Sequence, residues 1–181
     1  MRVFIIFFAL CLVFTAQAQQ QVVSKHVGAP MIPFVAEDMT GITYSSNELR
    51  GKVVVLNLWG TFCKPCILEM PELNRLKQSY AEKDVVFVSM SPEDKPIIKK
   101  FLKKHVFDFI ILPGSAHYMK DFGNTVPQTI LIDRVGIVRE VHIGTMPVKV
   151  SSDEKGEKMY EFRSDDLKAK IDQLLSEQQI D

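Results

Sequence analysis

The chain has 181 residues, a length that suits one domain of ordinary size. Its 22 Lys and Arg balance 22 Asp and Glu, for a formal net charge of zero at pH 7. That balance argues against nucleic acid or an anionic membrane surface as a partner, since both are recognised through an excess of basic charge.

The N-terminus reads as a targeting segment rather than part of a fold. Arg2 supplies a short positive region, Val3 to Phe14 is almost wholly apolar, and Ala16-Gln17-Ala18 is a small-x-small cleavage site. This pattern predicts a secretory signal peptide over residues 1–18 and an exported, periplasmic chain. The apolar run is shorter than the roughly 20 residues a membrane-spanning helix needs. An uncleaved signal that anchors the chain is the alternative. A lipoprotein fits less well, because Cys11 lies inside the apolar run behind Leu10. Removing residues 1–18 leaves only Cys63 and Cys66 of the three cysteines.

Residues 19–27 are polar and Gln-rich and read as a mobile lead-in. Short apolar stretches around Ile32 to Val35 and Gly41 to Tyr44 predict an N-terminal hairpin, followed by a turn over Ser45 to Gly51. Lys52 to Trp59 is a continuous apolar run, the pattern of a strand buried on both faces. Pro65 to about Tyr80 predicts a helix with Leu68, Leu73 and Leu76 inward and a kink at Pro71. Val85 to Met90 is a second buried strand. Glu93 to His105 is an amphipathic helix with Ile97, Ile98, Phe101 and Leu102 inward and Lys99, Lys100, Lys103 and Lys104 on the solvated face. A strand over Phe109 to Leu112 and a short helix over Ala116 to Phe122, closed by Gly123, come next. Gln128 to Asp133 and Gly136 to His142 predict an antiparallel pair across a tight turn. Leu167, Ile171, Leu174 and Leu175 mark a closing helix, with Ser164 as its cap and Asp165 and Asp166 in its first turn. Alternating strands and helices imply an α/β fold, with a mixed central sheet between helices.

Cys63-Lys64-Pro65-Cys66 stands where the first buried strand gives way to the first helix. At a helix N-terminus, free backbone N–H groups and the helix dipole favour a thiolate. A second thiol one turn away can resolve a mixed disulfide, so the pair is a candidate redox centre. It is a poor staple, because so short a loop removes little entropy from the unfolded chain. It is also a poor zinc site, since structural zinc takes four ligands and the histidines at 26, 105, 117 and 142 are scattered. No metal and no bound cofactor is expected beyond a redox-active Cys63–Cys66 disulfide.

Three neighbouring stretches carry a family resemblance. Gly51-Lys52 to Trp59 runs into Phe62-Cys63-Lys64-Pro65-Cys66, then Glu69-Met70-Pro71 follows, and Val126-Pro127-Gln128-Thr129 leads to Asp133 and Gly136. Together they resemble the TlpA/ResA-like branch of the thioredoxin superfamily, over roughly residues 28–144 and the last helix. The resemblance implies a thioredoxin-like domain over residues 28–178 with an insertion at 145–163. It implies thiol–disulfide exchange on protein substrates, with Cys63 as the exposed nucleophile and Cys66 as the resolving thiol. Pro127 aligns with the family's cis-proline, so Val126 and Pro127, with Phe62 and Pro65, are the implied substrate-binding residues. Phe62 stands where the family usually has Trp, which keeps an apolar wall and loses an indole donor. Glu69 falls three residues after Cys66 on the same helix face, and the resemblance implies that it tunes thiol ionisation and relays protons. In thioredoxins proper a buried Asp lies six residues before the first Cys; here that position is Asn57, which cannot ionise. The implied partners are protein thiols and disulfides, apocytochrome c among them, and an upstream membrane electron donor, with the chain itself a monomer.

Two other readings stay open. A peroxidase of the same general fold needs Pro-x-x-x-Thr-x-x-Cys, and here Leu56 and Gly60 occupy the Pro and Thr positions. A binding or chaperone module would use the groove near Phe62 and Pro127 without turnover, and the presence of both cysteines argues against it. The insertion at 145–163 predicts an extra hairpin, with Met146 to Val150 facing Lys158 to Phe162.

Overall fold

The computed structural model describes residues 20–177 except 22, 24, 153 and 155–157. The proposed signal segment, with Cys11, and part of the insertion's turn lie outside the described residues. No helix among the described residues is long and apolar enough to cross a membrane.

The N-terminal hairpin pairs β1 (Val35–Glu37) with β2 (Thr43–Ser45). The expected turn after it is a single 3-10 helix, Ser46–Leu49, closed by a capping box between Ser45 and Glu48. The main sheet has five strands: β3 (Val53–Leu58), β4 (Val85–Met90), β5 (Ile110–Leu112), β6 (Gln128–Ile132) and β7 (Val138–Ile143). Their spatial order is β5-β4-β3-β6-β7. The β3–β4 and β4–β5 pairs are parallel, and β3–β6 and β6–β7 are antiparallel. The sheet is therefore mixed, as the alternating elements implied. The helices are α1 (Lys64–Gln78), α2 (Lys95–Leu102), α3 (Ala116–Lys120) and α4 (Asp165–Ser176).

Strand β3 is buried along its whole length because both of its faces carry helices. Val53 and Val55 point to one cluster, with Leu73 and Leu76 of α1 and Ile171 and Leu174 of α4. Val54, Leu56 and Leu58 point to the other, with Tyr118 and Met119 of α3 and Phe122. This alternation follows from the two-residue period of a strand. It also sends Asn57 toward the α1 side.

Several expectations change. Leu68 is exposed, whereas Leu73 and Leu76 are buried as expected, together with Cys66, Glu69 and Met70. The apolar spacing left two helical phases open, and the pair Met70–Leu73 with buried Glu69 decides it. Ile97 is also exposed; α2 is only eight residues long and buries Ile98 alone. The helix runs through Pro71, which removes the one N–H that would reach back to Ile67 without ending the helix. Ser164 sits at the cap position of α4, but its hydroxyl donates to Glu72 Oε1 at 2.5 Å rather than capping the helix.

The insertion forms the expected hairpin, β8 (Val148–Ser152) with β9 (Lys158–Phe162), paired only with each other. An isolated two-stranded hairpin is marginal in water. This one is rooted by Met146 and Phe162, both buried in the α1 cluster, and each apolar side chain so buried contributes about 1.5–3 kcal/mol. At the other end of the chain His26 is buried, stacked on Phe122 at 4.2 Å and bonded to Asp121 O. The packed body thus begins by His26, inside the lead-in segment.

Candidate active site

The site forms where β3 ends and α1 begins. Trp59 N–H still bonds Met90 O, so the chain is held by the sheet up to that residue. It then turns through Gly60, Thr61 and Phe62 to Cys63, the N-cap of α1. The Phe62 ring leans on Gly60: a Cβ at that position would stand 2.5 Å from it and push the exposed ring aside. Pro65 lies in the first turn of α1, where a missing N–H costs nothing.

Cys63 and Cys66 form a disulfide, with an S–S distance of 1.98 Å and Cα atoms 5.3 Å apart. Cys63 Sγ also accepts the Cys66 N–H at 3.2 Å. The sulfur thus takes the place of a capping oxygen, and the same N–H that caps the helix stabilises negative charge on it after reduction. The resemblance led to the expectation of an exposed Cys63. In this oxidised form Cys63 is 6% exposed and Cys66 2%. The N-cap geometry folds Sγ back over the helix end, and Cys63 joins the buried cluster that holds Trp59 and Met70, with Val126 packed against that cluster.

Exposure is concentrated beside the disulfide. Phe62 is 69% exposed and forms an apolar platform next to Cys63. Pro65 is exposed as well. Val126–Pro127 is a cis peptide bond, with Pro127 buried and Val126 half-buried. Val126 lies beyond the last ladder pair of β6 and β7, Gln128–Ile143. The loop behind it is tied down by Gln128, whose Nε2 donates to Phe122 O and Thr125 O, both at 2.7 Å.

Glu69 is 1% exposed. Three residues past Cys66, it is carried to the inner face of α1. The Met146 N–H donates to its Oε2 at 3.3 Å, and the Asn57 side chain on β3 acts on it from the sheet side. Burial pushes its carboxyl up to about 7, against the opposing pull of Met146 and Asn57. Asn57 itself is fixed by bonds to Gln128 O and Thr129 Oγ1. A carboxyl that titrates near neutrality behind a disulfide is equipped to take up and release a proton there.

Two contributors escaped the sequence reading. Glu93 accepts from Thr61 N–H at 2.8 Å, from Thr61 Oγ1, and from Ser91 Oγ at 2.9 Å. It anchors the turn that presents Phe62 and Cys63. Its only signal was a carboxylate just past the end of β4. Met146 was seen only as part of an insertion, with no sign that its backbone reaches Glu69.

A redox disulfide at a helix N-terminus, on a mixed sheet and beside a cis-proline, defines a thiol–disulfide oxidoreductase of thioredoxin-like fold. The Redoxin family model matches residues 26–158. The thiol-disulfide oxidoreductase ResA of Halalkalibacterium halodurans is 33% identical over 122 residues, covering 66% of this chain and 69% of that protein. The thioredoxin-like protein YneN of Bacillus subtilis is 32% identical over 121 residues, covering 64% of this chain and 71% of that one. The crystal structure of a thiol:disulfide interchange protein of the thioredoxin family from Chlorobium tepidum superposes with a TM-score of 0.64 at 20% identity. That alignment covers 82% of this chain and 97% of the other, and it shows the shared fold. The chain belongs to the Redoxin family, in its TlpA/ResA-like branch.

Proposed function

We propose that this oxidoreductase works outside the cytoplasm as a reductant of protein disulfides, with Cys63 as the attacking thiol. The observation that carries this reading is the Cys63–Cys66 disulfide at the start of α1, with Glu69 buried one turn behind it. In the reduced protein the Cys63 thiolate attacks a substrate disulfide, a mixed disulfide forms, and one substrate thiolate leaves and takes up a proton. Cys66 then gives its proton to the Glu69 carboxylate and attacks Cys63 Sγ. The mixed disulfide breaks, and the second substrate sulfur departs as a thiolate that takes up a proton in its turn. The protein dithiol has been oxidised to the disulfide, and the substrate disulfide reduced by the same two electrons. A dithiol donor at the membrane returns the protein to its reduced form by the reverse exchange.

Substrate segments are read by Phe62, Pro65, Val126 and Pro127, which surround the disulfide. An extended segment lies along Val126, and the Phe62 platform takes an apolar side chain from it. Apocytochrome c before haem attachment has the paired cysteines such a site accepts. Export follows from the signal pattern of residues 1–18.

Reduction of insulin, with Cys63→Ser and Cys66→Ser as controls, tests turnover. Measurement of the Cys63–Cys66 reduction potential tests direction: a value near that of thioredoxin, about −270 mV, supports a reductant, and one near −120 mV makes the protein an oxidant. Intact mass of the fractionated native protein tests export, with a mature chain that begins near Gln19 as the expected result. Retention of residues 1–18 makes it an anchored protein.

A further inference from the structure

Hairpin β8–β9 leaves the main sheet beside the disulfide, and its root closes over Glu69. Met146, just before β8, is 4% exposed, and Phe162, the last residue of β9, is 7% exposed. Both pack in the cluster that holds Cys63, Cys66 and Met70. The hairpin is closed at this root by Arg163 N–H, which donates to Pro147 O at 2.9 Å. On one flank Gly144 N–H donates to Pro127 O at 2.9 Å, which links the segment to the cis-proline. On the other, Ser164 Oγ bonds Glu72, one turn along α1 from Glu69.

A buried carboxylate is oriented by the few polar groups that reach it. Two groups act on Glu69, one directly bonded and one from the sheet, and they differ in kind. Asn57 belongs to the central strand and is bonded to β6, so it moves only with the sheet. The Met146 N–H belongs to a hairpin whose strands pair with nothing but each other. A cavity on the hairpin side has a mainly apolar lining that includes Met146, Pro147 and Leu167, with Glu140, His142 and Arg163 among its polar members. Met146 therefore borders both the buried cluster and an open space.

We propose that the 146–163 hairpin is a positioning element for Glu69, in which the Met146 backbone aims one carboxylate oxygen and the Met146 side chain keeps water from it. This rests on the reading of Glu69 as the proton acceptor for Cys66. The hairpin is then the adjustable wall of the proton-transfer site, set between the cis-proline and α1.

Charged groups on the elements around Glu69 are Lys64, Glu72, Arg75 and Lys77 on α1, Arg139, Glu140 and His142 on β7, Lys149, Lys158 and Glu161 on the hairpin strands, and Arg163, Asp165 and Asp166 around the start of α4. Among the described residues none forms an ion pair with Glu69. Glu72 pairs with Arg75, Arg163 pairs with Asp165, and His142 bonds Thr145 O. Exclusion of water is thus the dominant influence on the Glu69 carboxyl.

The test is the carboxyl ¹³C titration of Glu69 in the oxidised protein, for wild type, Met146→Ala, Met146→Leu and Met159→Ala. Met146→Ala admits water and is expected to move the Glu69 midpoint down by about one pH unit. Met146→Leu refills the space and restores the wild-type midpoint. Met159→Ala, at an exposed hairpin position, leaves it unmoved. Should Met146→Ala not fold, Met146→Val carries the same test with a smaller shift in the same direction. The acid limb of the turnover profile is expected to move with the titration. An unmoved Glu69 midpoint in a folded Met146→Ala or Met146→Val protein overturns the proposal, even if Glu69→Gln is slow. Normal turnover in Glu69→Gln instead removes the reading on which the proposal rests, and the proposal with it.

Discussion

Thr61 and Glu93 are joined by two hydrogen bonds, one from the Thr61 backbone and one from its hydroxyl, to the two oxygens of one carboxylate. The turn before Cys63 is thereby fastened to the segment that follows β4, a second support besides the strand it leaves. Glu93→Ala strips the acceptor from the Thr61 N–H and from Ser91. The expected cost is about 1–3 kcal/mol of stability, the range for polar groups left unpaired, with slower exchange at Cys63. Urea denaturation and insulin reduction measure the two effects. Glu93→Gln, which keeps one acceptor oxygen, is expected to fall between wild type and Glu93→Ala.

The two thiols are expected to differ although both are nearly covered. In the disulfide form Cys63 sits at the helix cap, with the Cys66 N–H aimed at its sulfur, while Cys66 lies inside the first turn. Iodoacetamide is expected to label Cys63 first, with a thiol pKa below the roughly 8.5 of free Cys. Cys66→Ser is expected to accumulate a mixed disulfide with substrate through Cys63. Mass mapping of the labelled peptide reads this directly, and first labelling at Cys66 reverses the assignment.

Glu69 links the chemistry to stability. Its carboxyl is pushed from an ordinary 4.5 up to about 7 by burial. Between those values the folded protein holds a proton that the unfolded chain has released, so stability falls as pH rises through that window. The penalty is absent below about pH 4.5, grows to about pH 7 and is constant above it, at about 3 kcal/mol. Glu69→Gln carries no such penalty. The oxidised variant is therefore expected to be more stable than wild type at pH 8, with the difference gone near pH 4.5. Chemical denaturation at a series of pH values measures it. The same variant is expected to reduce insulin about tenfold more slowly or worse, in the range for loss of a general acid–base group. A variant that is more stable and less active is the signature of a group kept for function.

Phe62 is expected to matter for substrates and not for folding. It is mostly exposed, and its ring rests on the open side of Gly60. Phe62→Ala is expected to change stability by less than about 0.5 kcal/mol, as for an ordinary surface site. Against a protein disulfide it is expected to raise KM several-fold, while the rate with a small disulfide stays unchanged. Equal effects on both substrates remove Phe62 from the binding surface.

The main sheet was legible in the sequence because β3 and β4 read as mostly apolar runs and β6 and β7 as two strands across a tight turn. The motif at 63–66 was legible because its chemistry depends on spacing along a single turn. The phase of α1 was not: Leu68 matches the period as well as Met70 does, and only a carboxylate on the inner face separates them. Burial of Glu69 was beyond reach for a related reason. It depends on Met146, 77 positions away in the chain, and the bond is made by a backbone N–H, which every residue but proline carries. The Glu93 anchor shares that character, since half of it is a bond to the backbone of Thr61.

The two bonds from Gln128 to the Phe122–Thr125 loop bear on how substrates are chosen. A loop already held from beneath does not have to be frozen when a polypeptide settles against Val126. Ordering an interface commonly costs about 0.5–1.5 kcal/mol for each flexible side chain immobilised, and here that part of the surface is rigid in advance. Different substrates therefore meet the same unyielding corner, and their ranking falls to what each places on Phe62. Such a corner suits a protein that must act on many unfolded chains briefly and let each one go.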